Sequence, residues 1–450
     1  MHRQKPHSLL ALLALTLWLA PGLSSQTQPI RYILRAPTPL VDGVLGRHGL
    51  TRRDVLRDGV EQILLVDGPT SLPDDAFEQE VGDDVDVVGF ERDRRVVVPE
   101  TPARVHLSQS SAAILETLPG RTLVDFFGVQ TASTYASQPA GSVIRLPEAR
   151  SLASGAGLVA IVDTGVDPNH PVLRGVLVPG FDFTRGTAGS ASELADLSQS
   201  SAAILEQSSA AILEQTRVVT LNQATAAIVD PTTAAALEAT PLPVAFGHGT
   251  MVAGLVHLVA PRARIMPLKT FHADGTSNVS DILRAIYYAA DNGARVINMS
   301  FSLPDSSEEL MRAVSYATTR NAICVASAGN EGREDLVYPA GYRNVIAVAS
   351  TTNLDVRSSF SNYGSAVVTV AAPGEGVTTT YPGGRYAGVW GTSFSTALTS
   401  GGVALMVQVA PSLNASQAIS DISAAKKVGQ DLGEGRVDLV QAIQKSAKRK

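Results

Sequence analysis

There is one cysteine in 450 residues, Cys324. No intrachain disulfide can form, and a cysteine-rich metal site is excluded. Cys324 lies in Ala322-Ile323-Cys324-Val325-Ala326, a strand-like apolar run, which predicts a buried core thiol rather than a catalytic one. Aromatic residues are scarce at 5%, and the net charge is only −6. No basic stripe with interleaved aromatics occurs, so composition argues against a nucleic-acid partner. Long apolar runs are also missing, apart from Leu9–Ala20. That run is short for a membrane span. It follows His2, Arg3 and Lys5 and precedes Gly22-Leu23-Ser24-Ser25, the pattern of a secretory signal peptide over residues 1–25. The expectation is an exported protein, secreted or periplasmic, with no stable membrane span. The short basic stretch 445–450 reads as a solvated tail.

Residues 26–100 read as a separate α+β unit. Strands are expected over Arg31–Arg35, Gln62–Val66, Val85–Phe90 and Arg94–Val98, with an amphipathic helix over Val41–Leu56. Residues 101–145 show little periodicity and read as a linker and entry segment. From Gly157 onward, short apolar strands alternate with helical stretches. The strands are Leu158–Val162, Ile265–Leu268, Val296–Met299, Ile323–Ala326 and Val345–Ala349. The helices are Met251–Val259, Ser280–Asn292, Ser307–Arg320 and Thr392–Val409. Alternation of this kind predicts an α/β domain over 146–444 with a mostly parallel sheet and helices on both faces. The stretch 185–243, rich in Ala, Ser and Thr, reads as an insertion. It holds two adjacent copies of Ser-Ser-Ala-Ala-Ile-Leu-Glu-Gln, at Ser200–Gln207 and Ser208–Gln215, and Ser110–Glu116 repeats most of the same octapeptide. Two adjacent copies are too few for a solenoid, so a duplicated surface insert is expected.

Four segments carry chemistry. Leu158–Val162 is a buried strand type running into Asp163-Thr164-Gly165, and parallel sheets gather their sites at such strand ends. Gly247-His248-Gly249-Thr250 opens a small-residue helix, where an imidazole can serve as general base. Gly329-Asn330 follows the Cys324 strand and offers an amide donor. Gly391-Thr392-Ser393 puts a serine where a tight turn enters a helix, a position that favours negative charge. Each residue taken alone has a bland reading: a turn aspartate, a structural histidine, a left-handed asparagine, a loop serine. Together and in the order Asp, His, Asn, Ser, they are far more specific.

The segments Val162–Asp167, Gly247–Thr250, Val296–Ser300, Asn330, Tyr338-Pro339-Ala340, Phe360–Gly364 and Gly391–Ser393 resemble those of the subtilases, the subtilisin-like serine proteases, from about Val143 to about Ala442. The resemblance implies a nucleophile at Ser393, a general base at His248, an orienting carboxylate at Asp163 and an oxyanion donor at Asn330. It implies that Ser300 and Ser302 line the substrate cleft through their backbones. The substrates would be proteins or peptides. The amino-terminal unit would be a propeptide, ferredoxin-like, that chaperones folding, inhibits its own enzyme and is removed by self-cleavage.

Several positions depart from the family pattern. Met251 stands for a common histidine, Ala397 for a common proline, and Ser302-Leu303 for a common glycine pair near the specificity pocket. Leu255–Val259 runs directly to Ala260-Pro261 where calcium-binding subtilisins carry an asparagine-rich loop, and Val172 stands where they place a liganding aspartate. The resemblance therefore implies no cofactor and no tight calcium site, and it leaves weaker calcium sites open. Three other readings are a catalytically silent binding or scaffold protein whose insert blocks the cleft, an α/β hydrolase of another kind, and a serine-carboxyl peptidase relative, which would want a glutamate in place of His248. The filled catalytic positions oppose the first. The lack of a Gly-x-Ser-x-Gly elbow opposes the second.

Overall fold

Side chains along the central strands point alternately to two cores, and this alternation builds the main domain. On β8 (Leu158–Asp163), Val159 and Ile161 join one apolar cluster while Ala160 and Val162 join another. Ile323 and Val325 against Cys324 and Ala326 repeat the division on β16 (Ile323–Ser327). A strand buried on both faces must lie between two helical layers. The computed structural model describes residues 29–69, 74–97, 122–197, 219–223, 226–228 and 242–449. The signal-peptide stretch and all copies of the octapeptide lie outside the described residues.

The amino-terminal unit contains β1 (Arg31–Pro37), α1 (Val41–Arg47), β2 (Thr51–Arg57), β3 (Glu61–Asp67), α2 (Asp74–Gly82) and β4 (Gly89–Arg92). Its sheet has the order β2-β3-β1-β4, a ferredoxin-like arrangement. The helix expected over Val41–Leu56 is only Val41–Arg47. Gly49 adopts φ 63 and ends it, and Thr51–Arg57 pairs with β3 instead. The strand expected at Val85–Phe90 begins later, at Gly89. Before it the chain turns at Asp84, which binds the Arg47 guanidinium and His48.

The main sheet has the order β10-β9-β13-β8-β15-β16-β17-β18. Its members are β9 (Gly180–Asp182), β10 (Thr187–Gly189), β13 (Arg264–Lys269), β15 (Val296–Met299), β17 (Val345–Thr351) and β18 (Val370–Pro373), with β8 and β16. Every pair is parallel except the edge pair β9–β10. One layer holds α3 (His248–Val259) and α4 (Thr392–Val409), and the other holds helices Val279–Asp291 and Glu308–Thr319. Strand order reverses at β8: the chain passes first to β13 on one side and then to β15 on the other. Asp163 closes β8 at this switch point, where parallel sheets open a crevice.

Two expectations about the periphery are corrected. Residues 122–145 of the entry segment are ordered into a hairpin and two short helices, and Tyr135 is fully buried with its hydroxyl on the Gly254 carbonyl. The carboxyl-terminal residues are not a free tail. Helix Leu439–Ala447 buries Ser446, and the Arg449 guanidinium binds both Asp421 carboxylate oxygens.

His257 of α3 packs edge-on to Phe126 of the entry hairpin. Burial lowers its imidazole from 6.5 to about 4, and the nearby Arg150 and His170 push the same way. The fold thus favours the neutral ring, and the stability it contributes is lost as pH falls from about 6.5 toward about 4. Melting curves of wild type and His257→Leu should diverge on acidification from pH 7 to pH 4.5, with wild type losing more. A difference that stays constant with pH would contradict this account.

Candidate active site

Asp163 ends a strand of buried apolar residues and is itself 2% exposed. Its carboxylate accepts the Thr164 amide at 2.7 Å and faces Nδ1 of His248, at 2.8 Å from Oδ1 and 3.0 Å from Oδ2. His248 is the first residue of α3, capped by Gly247 at φ 88. The strand end and the helix start meet backbone to backbone. A Cβ on Gly249 would stand 2.0 Å from the Gly165 carbonyl oxygen. Only glycine allows that approach, and the approach brings Asp163 within reach of His248.

Ser393 sits in the first turn of α4, 2% exposed. Its hydroxyl donates to the Ser300 carbonyl at 3.3 Å, and the Ser300 hydroxyl donates back to the Ser393 carbonyl at 3.1 Å. Beneath them, Asn298 donates its amide to the Ser300 hydroxyl and accepts from Ser400 of α4, both at 2.9 Å. This chain of bonds ties β15 to the serine helix. Among the described hydrogen bonds Ser393 does not bond to His248, although the His248 ring lies 5.6 Å, centroid to centroid, from the ring of the adjacent Phe394. Asn330 is 2% exposed; its side-chain oxygen accepts the Thr392 amide at 2.9 Å and the Thr392 hydroxyl at 2.8 Å. That orients its nitrogen toward the Gly391 turn, 3.7 Å from where a Cβ on Gly391 would stand.

Five of the six expected site residues thus converge: Asp163, His248, Ser393, Asn330 and Ser300. Ser302 lies half-buried beside Leu303, whose backbone bridges Tyr338. Cys324 is buried in its strand, where burial pushes its thiol up to about 12, so it takes no part.

The structure adds a residue that sequence reasoning set aside. Glu193 was assigned with the insertion 185–243, yet it is fully buried against the site. Its carboxyl accepts the Gly247 amide and the Thr164 hydroxyl, both at 3.0 Å, and the Thr250 hydroxyl. Lys269, also fully buried, donates to the carbonyls of Thr164 and Phe271 and to Asp196, at 2.8, 2.7 and 2.7 Å. Residues 191–196 are therefore packed against Asp163, His248 and their neighbours. An acidic residue in a small-residue stretch carries no periodicity that would have marked it.

Comparison with known proteins agrees with this geometry. A family model described as the Subtilase family matches residues 155–442. The chain belongs to the subtilase family. It is 33% identical over 314 residues to Thermitase of Thermoactinomyces vulgaris, covering 67% of this chain and 94% of thermitase. It is 40% identical over 175 residues to Subtilisin Savinase of Lederbergia lenta, covering 37% of this chain and 65% of that protein. In fold it is similar to fervidolysin of Fervidobacterium pennivorans, described as a keratinolytic enzyme related to subtilisin. The TM-score there is 0.66 at 20% identity, over 94% of this chain and 62% of fervidolysin. Family membership makes the subtilase a serine-type endopeptidase, the enzyme class expected from the four motifs.

Burial raises the Glu193 carboxyl from 4.5 to about 8, against the downward pull of the Thr250 and Thr164 hydroxyls and Lys269. The stability contributed by its bound proton is complete below pH 4.5 and is lost as pH rises toward 8. Glu193→Gln cannot ionise, so wild type should lose melting temperature relative to this variant between pH 5 and pH 8. Parallel pH dependences of the two proteins would refute the assignment.

Proposed function

We propose that this subtilase is an exported endopeptidase that cleaves peptide bonds through an acyl-enzyme and is made as a self-processing precursor. One observation carries the reading: His248 is held on Asp163 while its ring lies 5.6 Å from that of Phe394, the neighbour of the buried Ser393. For attack, the Ser393 hydroxyl turns from the Ser300 carbonyl to the free edge of His248, a tightening common when substrate binds. The imidazole takes the proton while Oγ attacks the scissile carbonyl. Asp163 holds the ring in register and stabilises its charged form. The oxyanion is received by the Asn330 amide and the Ser393 backbone N–H. Collapse passes the proton to the leaving amine, and water then releases the acyl group. Ser300 and Ser302 would border the cleft through their backbones.

The amino-terminal unit is suited to act as the chain's own inhibitor. It lies across the starts of two helices of the main domain. Asp93 accepts the Ser280 amide and hydroxyl at 2.9 Å each, and Glu91 accepts the Glu308 amide at 2.9 Å. Each carboxylate thus meets the positive end of a helix. Arg35 binds Glu309 and the Tyr287 hydroxyl. Beyond Asp93, β5 (Arg95–Val97) pairs with β14 (Thr276–Asn278). The Ser277 hydroxyl donates to the Thr270 carbonyl, and the Thr270 amide donates to the Asp163 carbonyl, so β14 is joined through Thr270 to the end of β8. Among the described residues no helix is long and apolar enough to cross a membrane, which is compatible with export.

The precursor reading is tested by expressing wild type and Ser393→Ala in a protease-deficient host. Wild type should yield a separated amino-terminal unit and react with a fluorophosphonate at Ser393, while the variant should stay full-length and unlabelled. A variant that still matures would end the self-processing reading. Wild type freed of its amino-terminal unit that fails to label would end the enzymatic one and favour the silent scaffold.

The absence of a tight calcium site is proposed on similar grounds. Val172 is 2% exposed and packed in the core, and Leu255–Val259 continues α3 as buried apolar surface. No group of three or more His, Cys, Asp or Glu among the described residues is disposed to hold a metal. Chelation with EDTA should therefore shift the melting temperature by less than about 2 °C, whereas loss of a tightly bound ion costs several kcal/mol. A larger drop, reversed by calcium, would overturn the proposal.

A further inference from the structure

We propose that Glu193 is a positioning residue of this active site: its carboxyl clamps the loop carrying Asp163 to the helix carrying His248 and so fixes the line along which the imidazole reaches Ser393. The proposal rests on the endopeptidase reading above.

The bonds converge from both sides of the Asp–His pair. Thr164 follows Asp163, and its hydroxyl donates to Glu193 while accepting the Gly249 amide at 2.9 Å. Gly247 and Thr250 flank His248, and both donate to the same carboxyl. The Thr250 hydroxyl also accepts the Asp167 amide at 2.8 Å, which closes the ring back onto the aspartate loop. Glu193 is itself pinned. The Ala191 carbonyl accepts the Val166 amide at 2.9 Å, and Ser192 caps the turn at Leu194. A Cβ on Gly165 would stand 2.8 Å from the Glu193 nitrogen, so the two loops are in contact at the backbone.

Water cannot substitute for this carboxyl, because the residue is 0% exposed. Removing it strands one amide and two hydroxyls in a closed pocket, each of which must then find another acceptor by moving. All three belong to residues next to, or two positions from, the reacting pair. The charged groups facing Glu193 are Asp163 on β8, His248 on α3, Asp167 in the loop between, and Lys269 on β13 with Asp196 beyond it. The reach of the carboxyl, more than its charge, sets the clamp. A glutamine can keep the same contacts, accepting from Gly247 and Thr164 and donating to the Thr250 hydroxyl.

The test compares wild type, Glu193→Gln, Glu193→Asp and Glu193→Ala on a chromogenic peptide, with kcat expressed per site titrated by fluorophosphonate. Glutamine should hold kcat within about threefold. Aspartate and alanine should lower kcat by about 30- to 100-fold with KM within about threefold, as expected when a catalytic group is displaced and the substrate cleft is intact. Aspartate or alanine with wild-type kcat would overturn the proposal, and so would glutamine falling as far as alanine. Should alanine fail to fold, the glutamine–aspartate pair decides. A wild type that neither labels nor cleaves strikes at the endopeptidase reading instead, and the wild-type reaction alone separates the two failures.

Discussion

The active site depends on a contact between two backbones. Gly165, just past β8, and Gly249, in the first turn of α3, approach so closely that a side chain on Gly249 would collide with the opposite carbonyl. Every other relation in the site follows from that approach. It sets Asp163 against Nδ1 of His248. It also lets the Thr164 hydroxyl receive the Gly249 amide, so the strand end helps to satisfy the start of the helix. Gly249 adjoins His248 because the distance between strand end and helix leaves no room for a Cβ there.

Closeness of that kind removes water from charged groups, and the removal must be offset. Asp163, Glu193, Asp196 and Lys269 all lie within a few residues of the contact. Lys269 and Glu193 are fully buried. An isolated buried charge costs several kcal/mol, which paired and hydrogen-bonded charges largely recover. Lys269 makes three such bonds, and Asp196 accepts the Ala273 amide at 2.7 Å as well. The network therefore adds less to stability than to geometry. Its members hold Thr164, Gly247 and Phe271 in one arrangement, and these are the residues that border Asp163 and His248. Burial also keeps the Glu193 proton into the neutral range, so stability and geometry at this point respond differently to pH.

Much of this was legible in the sequence, and the pattern of misses is physical. The main strands were visible because each is a short apolar run between turn residues, buried on both faces. The triad positions were visible because glycines and a strand or helix start surround each one. Glu193 was invisible. Its function lies in a side chain reaching across from a loop, and neither its neighbours Ser192 and Leu194 nor its spacing says what it will touch. The helix misread at Val41–Leu56 has a different cause. Local apolar spacing favoured a helix, but Gly49 stopped it and pairing with β3 claimed Thr51–Arg57, a tertiary effect that outweighs local preference. At the carboxyl terminus, basic residues looked like a tail because Asp421, their partner, lies 28 residues earlier.

The contact between the amino-terminal unit and the main domain has a different energetic character from the candidate site. Its polar anchors are carboxylates on helix starts and arginines on acids. Arg57, for instance, stacks over Tyr287 and Tyr316 at 4.4 Å and pairs with Asp291. A partly exposed pair such as Arg57–Asp291 is individually weak and screened by salt, whereas Asp93 and Glu309 are buried and their bonds are shielded. Covalent attachment raises the effective concentration of the unit and adds to what these contacts hold. The hydrogen bonds described for Glu193 and Lys269 all go to residues of the main domain, so this buried network is built without the amino-terminal unit.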